Sequence, residues 1–352
     1  MKKVLFASTA LVAFAGAAAA DITLTGNAEM GINENETYTF NAATNNFDAD
    51  GNTGFFTDID VTFTMSGETD GGLTFGASID LDESNDGDAF GSATQGGETI
   101  FLSGNFGTIT MGDTDGALDW ALDEVLFSNG SLADNEETAG YNGNAGLDGL
   151  YDGQILRYDY TVGSFGIALS AELDDTDGVG NDDVFGLGLT YDATFGSTAL
   201  SFGIGLQTAS VANVDVDTFG LSVSADFGNG FEAGLSYMTF ENHLPDVSDT
   251  LVTFLSGGAV TDGRLITPNQ DTDHIGVGIG YSTGPWAMSA NYGEYSHDRG
   301  TDISGLGLTV GYDLGGGAIV QFGYGRSSID MPVGEPTFDD RDTFSFGVRM
   351  NF

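Results

Sequence analysis

Carboxylates dominate the chemistry open to this chain. Asp119, Asp123, Glu124, Asp134, Glu136, Glu137 and Asp148 crowd the connection 114–150. Smaller groups recur at Asp48/Asp50, Asp82/Asp86/Asp88, Asp174/Asp175/Asp177 and Asp182/Asp183. Acids at this density draw cations out of solution and offer hard oxygen ligands, so calcium is the cofactor expected from residue type. The stretch from Asn46 through Asp48, Asp50 and Gly51 starts like an EF-hand loop, but its last ligand position holds Thr57 where Glu is needed. The stretch from Asp82 ends on Ala93 and fails likewise, so no EF-hand is expected. Nucleophilic chemistry is poorly supplied. There is no Cys, and none of His243, His274 and His297 lies in a recognisable pattern with a Ser and an acid. The glycines of Gly186-x-Gly188 and Gly276-x-Gly278-x-Gly280 lie in strand patterns with no helix following, so they are not dinucleotide loops.

Charge narrows the function classes further. The 352 residues hold 8 Lys plus Arg against 53 Asp plus Glu, a net −45. Such a chain lacks the basic face that nucleic acid requires, and it cannot be held on anionic lipid by basic residues. The 40% hydrophobic and 11% aromatic fractions argue for an ordered chain despite the charge. Met1-Lys2-Lys3, the uncharged run Val4–Gly16 and the small residues Ala17–Ala20 form a secretory signal pattern, with cleavage expected after Ala20. Cleavage leaves six arginines against 53 acids, a net −47.

The remaining chain reads as strands. Ile22, Leu24, Ala28, Met30 and Ile32 share one face while Thr23, Thr25, Asn27 and Glu29 share the other. The same period of two runs through Ile59–Met65, Leu73–Leu81, Leu200–Leu206, Leu306–Tyr312 and Phe344–Phe352. Sixteen strands are expected, starting near residues 22, 55, 72, 98, 107, 153, 165, 184, 198, 214, 231, 273, 285, 302, 317 and 340. Tight turns alternate with long acidic connections at 34–53, 82–97, 114–150, 174–183, 208–213, 241–272, 296–301 and 328–339. That alternation, the Gly/Ser/Thr/acid face and aromatics such as Tyr160, Tyr191, Trp286 and Tyr312 on the apolar face match an outer-membrane barrel. The expected fold is all-β: a 16-stranded antiparallel transmembrane β-barrel. By parity Arg157, Arg341 and Arg349 point inward and Arg326 outward, the last toward lipopolysaccharide phosphate or a neighbouring subunit. Within 114–150, Asp115–Val125 is expected to be helical with Asp115 as its cap; Leu118, Ala121, Leu122 and Val125 would face the wall and Asp119, Asp123 and Glu124 the lumen. The 241–272 connection holds an apolar run, Leu251–Leu255, to which no role can be assigned.

Three stretches carry a family resemblance: the start DITLTGNAEMGI, the segment MGDTDGALDWALDE and AGYNGNAGLDGLYDGQILRYDY. The ending DTFSFGVRMNF, with Phe352 on the apolar face, looks like the assembly signal of bacterial outer-membrane proteins. The chain from Asp21 onward resembles the general diffusion porins of Gram-negative bacteria, especially the Rhodobacter type. The resemblance implies a homotrimer in the outer membrane, against lipid and lipopolysaccharide, inserted by the barrel-assembly machinery through Phe352. It implies that the third loop, 114–150, folds inward, making Asp119, Asp123, Glu124, Asp134, Glu136 and Glu137 an acidic constriction faced by Arg157, Arg341 and Arg349. Relatives hold calcium near this loop, which makes Asp113, Asp115 and Asp119 candidate ligands. The expected function is a water-filled, cation-preferring channel for passive diffusion of ions and small hydrophilic solutes, and no enzyme. The alternatives are a substrate-selective channel, which would need more inward aromatics than Phe101, Phe240 and Tyr295, and a non-channel barrel serving adhesion or structure.

Overall fold

In a computed structural model the alternating runs pair into a single closed sheet. The structure describes residues 21–352 except 83–93, 128–129, 176–177, 246–259 and 262–263. The signal segment 1–20 and Leu251–Leu255 therefore lie outside the described residues. The strands are β1 (Asp21–Asn41), β2 (Asn46–Glu68), β3 (Thr74–Asp82), β4 (Thr94–Gly104), β5 (Gly107–Gly112), β6 (Ile155–Val162), β7 (Phe165–Glu172) and β8 (Asp182–Phe195). They continue as β9 (Thr198–Val211), β10 (Val214–Asp226), β11 (Phe231–Glu241), β12 (Thr272–Thr283), β13 (Trp286–His297), β14 (Thr301–Gly315), β15 (Ala318–Asp330) and β16 (Arg341–Asn351). Each pairs antiparallel with the next, and β16 returns to β1 with Asn351 opposite Asn27 and Phe344 opposite Glu34. Closure leaves no unpaired sheet edge inside a membrane.

The sixteen expected starts match closely, with one exception. The 34–53 connection is not a loop: β1 and β2 stay paired from Asp21/Ser66 out to Asn41/Asn46. Acids on those rungs alternate with Tyr38, Phe40 and Phe47, and the pairing of Phe40 with Phe47 at 5.0 Å extends the hairpin beyond the barrel. The 208–213 connection is likewise no long loop. Val211 pairs with Val214 across a two-residue turn whose residues, Ala212 and Asn213, take φ of 52° and 64°. Positive φ at both central positions twists in the same sense as the strands.

The apolar face looks outward. Ile22 is 70% exposed and Phe346 52%, while inward Thr309 and Gln321 are at most 1% exposed. A water-soluble barrel has the opposite arrangement. Aromatic pairs on the outer surface, Trp286–Tyr312 at 4.7 Å and Phe231–Tyr281 at 4.3 Å, belong at a membrane interface. Outward Tyr and Trp side chains, such as Tyr160, Tyr191, Tyr237, Trp286 and Tyr324, come from β6–β15. The outward positions of β2–β5 carry Ile59, Phe63, Ile79, Ile100 and Met111.

Candidate functional site

The segment between β5 and β6 lies on the barrel's inner wall. Its helix is a single turn, Ala117–Ala121, shorter than the expected Asp115–Val125. The cap is Gly116, with no side-chain cap; its amide donates to Asp148 Oδ2 at 2.7 Å. Extended backbone resumes at Leu122. The apolar stripe holds as expected: Leu118, Ala121, Leu122 and Val125 are all buried. Leu118 sits over Gly205 and Leu122 over Gly220.

Polar side chains of the wall hold the rest of the segment. The Ala117 amide donates to Ser170 Oγ at 2.9 Å and the Asp123 amide to Ser222 Oγ at 2.8 Å. The Ala139 amide donates to Ser327 Oγ at 3.0 Å and the Leu147 amide to Gln207 Oε1 at 2.7 Å. Gln321 donates to the Gly130 carbonyl at 3.0 Å and Asn291 to the Glu136 carbonyl at 3.2 Å. His274 Nε2 lies 3.0 Å from the Gly140 carbonyl and must donate, because that oxygen can only accept. Glu172 receives the amides of Leu150, Tyr151 and Gly153 at 2.9–3.2 Å and anchors the loop's return. These contacts run from β7 round to β15. A loop that buries its backbone needs such partners, since it has no ladder of its own.

The expected acidic constriction divides into two groups. Asp134 and Glu137 are exposed, and Asp119 is half-buried. Asp123 accepts the Ser224 hydroxyl at 2.6 Å and Glu124 the Tyr141 hydroxyl at 2.8 Å. Glu136 is 3% exposed and accepts both the amide (3.0 Å) and the hydroxyl of Ser131. Burial pushes the Asp119 carboxyl up to about 8; Asp115, Asp148 and Glu124 add to the shift and Arg157 opposes it. Burial also raises Glu136, against the Ser131 hydroxyl.

The arginines do not gather. Arg157 on β6 reaches the Asp115 carbonyl and lies 3.4 Å from Asp159. Arg349, near the end of β16, pairs with the buried Glu29 at 3.5 Å. Arg341, at the start of β16, stands 5.9 Å from the centroid of the Tyr38 ring. Arg326 points outward as parity predicts, paired with Asp340 and with Asp342 at 3.7 Å.

The arc from β2 to β6 is different. Its inward Asp58, Asp60, Asp80 and Asp159 are half-exposed, among inward hydroxyls. Asn27 donates to Asp60 and Thr62 to Asp80, each at 3.0 Å. Ser78–Thr99 at 2.8 Å and Ser103–Thr108 at 2.9 Å continue the polar lining.

An inside-out closed barrel with a loop lodged in its lumen invites comparison with known membrane barrels. The sequence matches the Gram-negative porin family over residues 7–330. The chain belongs to that family. It is 28% identical over 302 residues to a porin of Rhodobacter capsulatus, covering 83% of this chain and 91% of that one. Among solved structures, a porin refined at 1.8 Å resolution superposes with a TM-score of 0.64 at 24% identity, covering 94% of this chain and all of that one. An anion-selective porin from Comamonas acidovorans superposes with a TM-score of 0.62 at 16% identity, covering 95% and 100%. This porin is thus an outer-membrane channel protein of a Gram-negative bacterium, and no enzyme.

Of the candidate calcium ligands, Asp115 lies near enough to Asp119 to raise its carboxyl. Asp113 accepts the Gly97 amide at 3.1 Å, and among the described residues no three carboxylates or imidazoles gather in an arrangement that could hold a metal. The sequence names Asp148 only among the loop's acids and gives Gln207 only an inward position on β9, while Tyr141 lies outside any strand period. The wall glycines were visible as Gly-x-Gly on the inward face, a signal that a backbone comes close there.

Proposed function

We propose that this porin forms a water-filled channel that passes cations in preference to anions, together with small hydrophilic solutes. The solute path is the space between the docked loop and the arc β2–β6. The observation that carries this reading is the charge of that arc. Half-exposed Asp58, Asp60 and Asp80 line it, with Asp159 paired to Arg157, the arc's inward arginine. Asp134 and Glu137 add negative charge from the loop side, and Asp119 adds its own only as pH rises through about 8. A passage lined by one sign of charge concentrates the counter-ion. The fold leaves the sign open, since a porin of the same architecture is anion-selective; the lining residues set it. Phe240 and Tyr295 support a general channel over a sugar-selective one, because both are packed in the core at 1% exposure and offer no ladder to a solute.

The test is the zero-current potential across a KCl gradient, for the wild type and for Asp58→Asn/Asp60→Asn/Asp80→Asn. The expected result is a cation-selective wild type whose preference falls in the triple variant. The preference should also fall as salt rises, because screening shortens from about 8 Å at physiological salt to about 3 Å at 1 M. An anion-selective wild type overturns the reading.

Three copies would join through the outward face of β2–β5, which lacks the interfacial Tyr and Trp side chains of β6–β15. The aromatic-bearing face would meet outer-membrane lipid and lipopolysaccharide. A monomer mass in mild detergent contradicts the trimer. Outward Phe352, 79% exposed at the end of β16, suits recognition by the assembly machinery.

A further inference from the structure

On the inner wall from β8 to β15, the loop's carbonyl oxygens lie directly over glycines. We propose that these wall glycines are positioning residues: each receives a loop carbonyl on its inward Cα–H, and together they fix the depth at which the loop lies in the lumen. Gly188 lies under the Ala117 oxygen, Gly203 under that of Ala121 and Gly278 under that of Val125. Gly307 lies under the Glu136 oxygen, Gly325 under that of Asn135 and Gly293 under that of Gly140. At all six a Cβ would overlap the oxygen.

The spacing has a simple cause. Inward positions recur every second residue along a strand, so a glycine at one of them opens a dent the width of a side chain. A carbonyl can enter that dent and meet a Cα–H, a contact that recurs where backbones approach closely. The loop's amides go instead to the side chains of Ser170, Ser222, Ser327 and Gln207. Donors are thus met by wall side chains and acceptors by wall glycines, with Asn291 and His274 also donating to the Glu136 and Gly140 oxygens, which lets an irregular loop stay buried. The wall also contains its own control. Gly311 is on the same face of β14 as Gly307, yet the nearest atom to a Cβ there is Ile319 Cγ2 at 3.6 Å.

This inference rests on the loop being the channel's constriction, and two readouts separate the claims. Gly188→Ala, Gly307→Ala and Gly311→Ala would each be inserted as full-length protein, with the heat-dependent electrophoretic shift confirming a closed barrel. Hydrogen exchange of peptides covering 113–154 reads the seating of the loop, and single-channel conductance reads the pore. Gly188→Ala and Gly307→Ala should exchange these amides about tenfold faster, as a locally released segment does, and shift conductance. Gly311→Ala should match the wild type in both. Wild-type exchange in both Gly188→Ala and Gly307→Ala, or an equal change in Gly311→Ala, overturns the proposal. Faster exchange at unchanged conductance supports the positioning role and overturns the loop as constriction. Should neither Gly188→Ala nor Gly307→Ala assemble, the wild type decides: the Ala117, Asp123, Ala139 and Leu147 amides must exchange slowly, and coil-like rates overturn it.

Discussion

The arcs β2–β6 and β8–β15 of the same wall alternate alike, apolar outward and polar inward, but treat their inward positions differently. On β8–β15 inward glycines are frequent, the loop lies on them, and neighbouring polar side chains vanish from solvent: Gln207, Thr218, Thr309 and Gln321 are each at most 1% exposed. On β2–β6 the inward positions carry Asp58, Asp60, Thr62, Asp80 and Ser103, which remain accessible. Of the inward glycines there, Gly76 is covered by the Phe101 ring of the neighbouring strand, and the atoms nearest a Cβ at Gly112 belong to Glu98 and Thr99 and not to the loop. A barrel of this width cannot fill itself with wall side chains. Where side chains are removed the loop lies on the wall, and where they are kept the wall stays polar and accessible. The hydrophobic core of this porin accordingly sits inside the barrel, under the loop: Leu118, Leu122, Met238, Phe240 and Tyr295 form one cluster there.

The largest effect should come from reversing the alternation on the outside of the covered arc. Leu308→Arg puts a charge on the lipid face of β14, at a cost of about 2–4 kcal/mol if it lies near the bilayer midplane. Thr62→Asn on the inward face of β2 should cost little. Equal midpoints for the two variants in denaturant unfolding would mean that the inside and outside of the barrel are exchanged.

A smaller effect separates Asp119 from the arc's acids. Its carboxyl is raised by burial to about 8, so it gains charge as pH rises through that value. Cation preference should therefore increase between about pH 6 and 9, and Asp119→Asn should abolish the increase. Stability should change in the opposite sense. The folded state holds this proton more tightly than the unfolded chain, so the group destabilises the fold progressively from about pH 4 to 8. A zero-current potential that does not vary with pH in the wild type would show that Asp119 is not in the solute's field.

The smallest effect is expected from the acids already hydrogen-bonded to the covered wall or within the loop. Asp123→Asn with Glu124→Gln removes two charges that are tied to Ser224 and Tyr141. The potential should shift less than in Asp58→Asn/Asp60→Asn/Asp80→Asn. A larger shift would place the solute path along the covered arc and reverse the comparison.

Much of this protein was legible without coordinates, and the division has a physical basis. Strand number, strand starts, the lipid-facing set from Ile22 to Phe352 and the inward direction of Arg157 and Arg349 follow from a period of two, which is a local property of the chain. The wall-facing stripe of the loop, from Leu118 to Val125, is local in the same way. The length of the β1–β2 hairpin was misread because acids such as Glu34, Glu36 and Asp50 look like loop, although cross-strand pairing holds them on the ladder. Which carboxylates meet solute was decided by tertiary structure alone. Asp123, Glu124 and Glu136 look equivalent to Asp134 and Glu137 along the chain. Docking on β10 gives Asp123 the hydroxyl of Ser224, while the loop's own folding gives Glu124 the hydroxyl of Tyr141 and sets Glu136 over Ser131. Those partners lie 5, 17 and 101 residues away and have no period linking them to the acids they bind. The wall glycines mark the boundary between the two kinds of knowledge. Their inward direction follows from the alternation, but their meaning depends on carbonyls brought to them from another part of the chain.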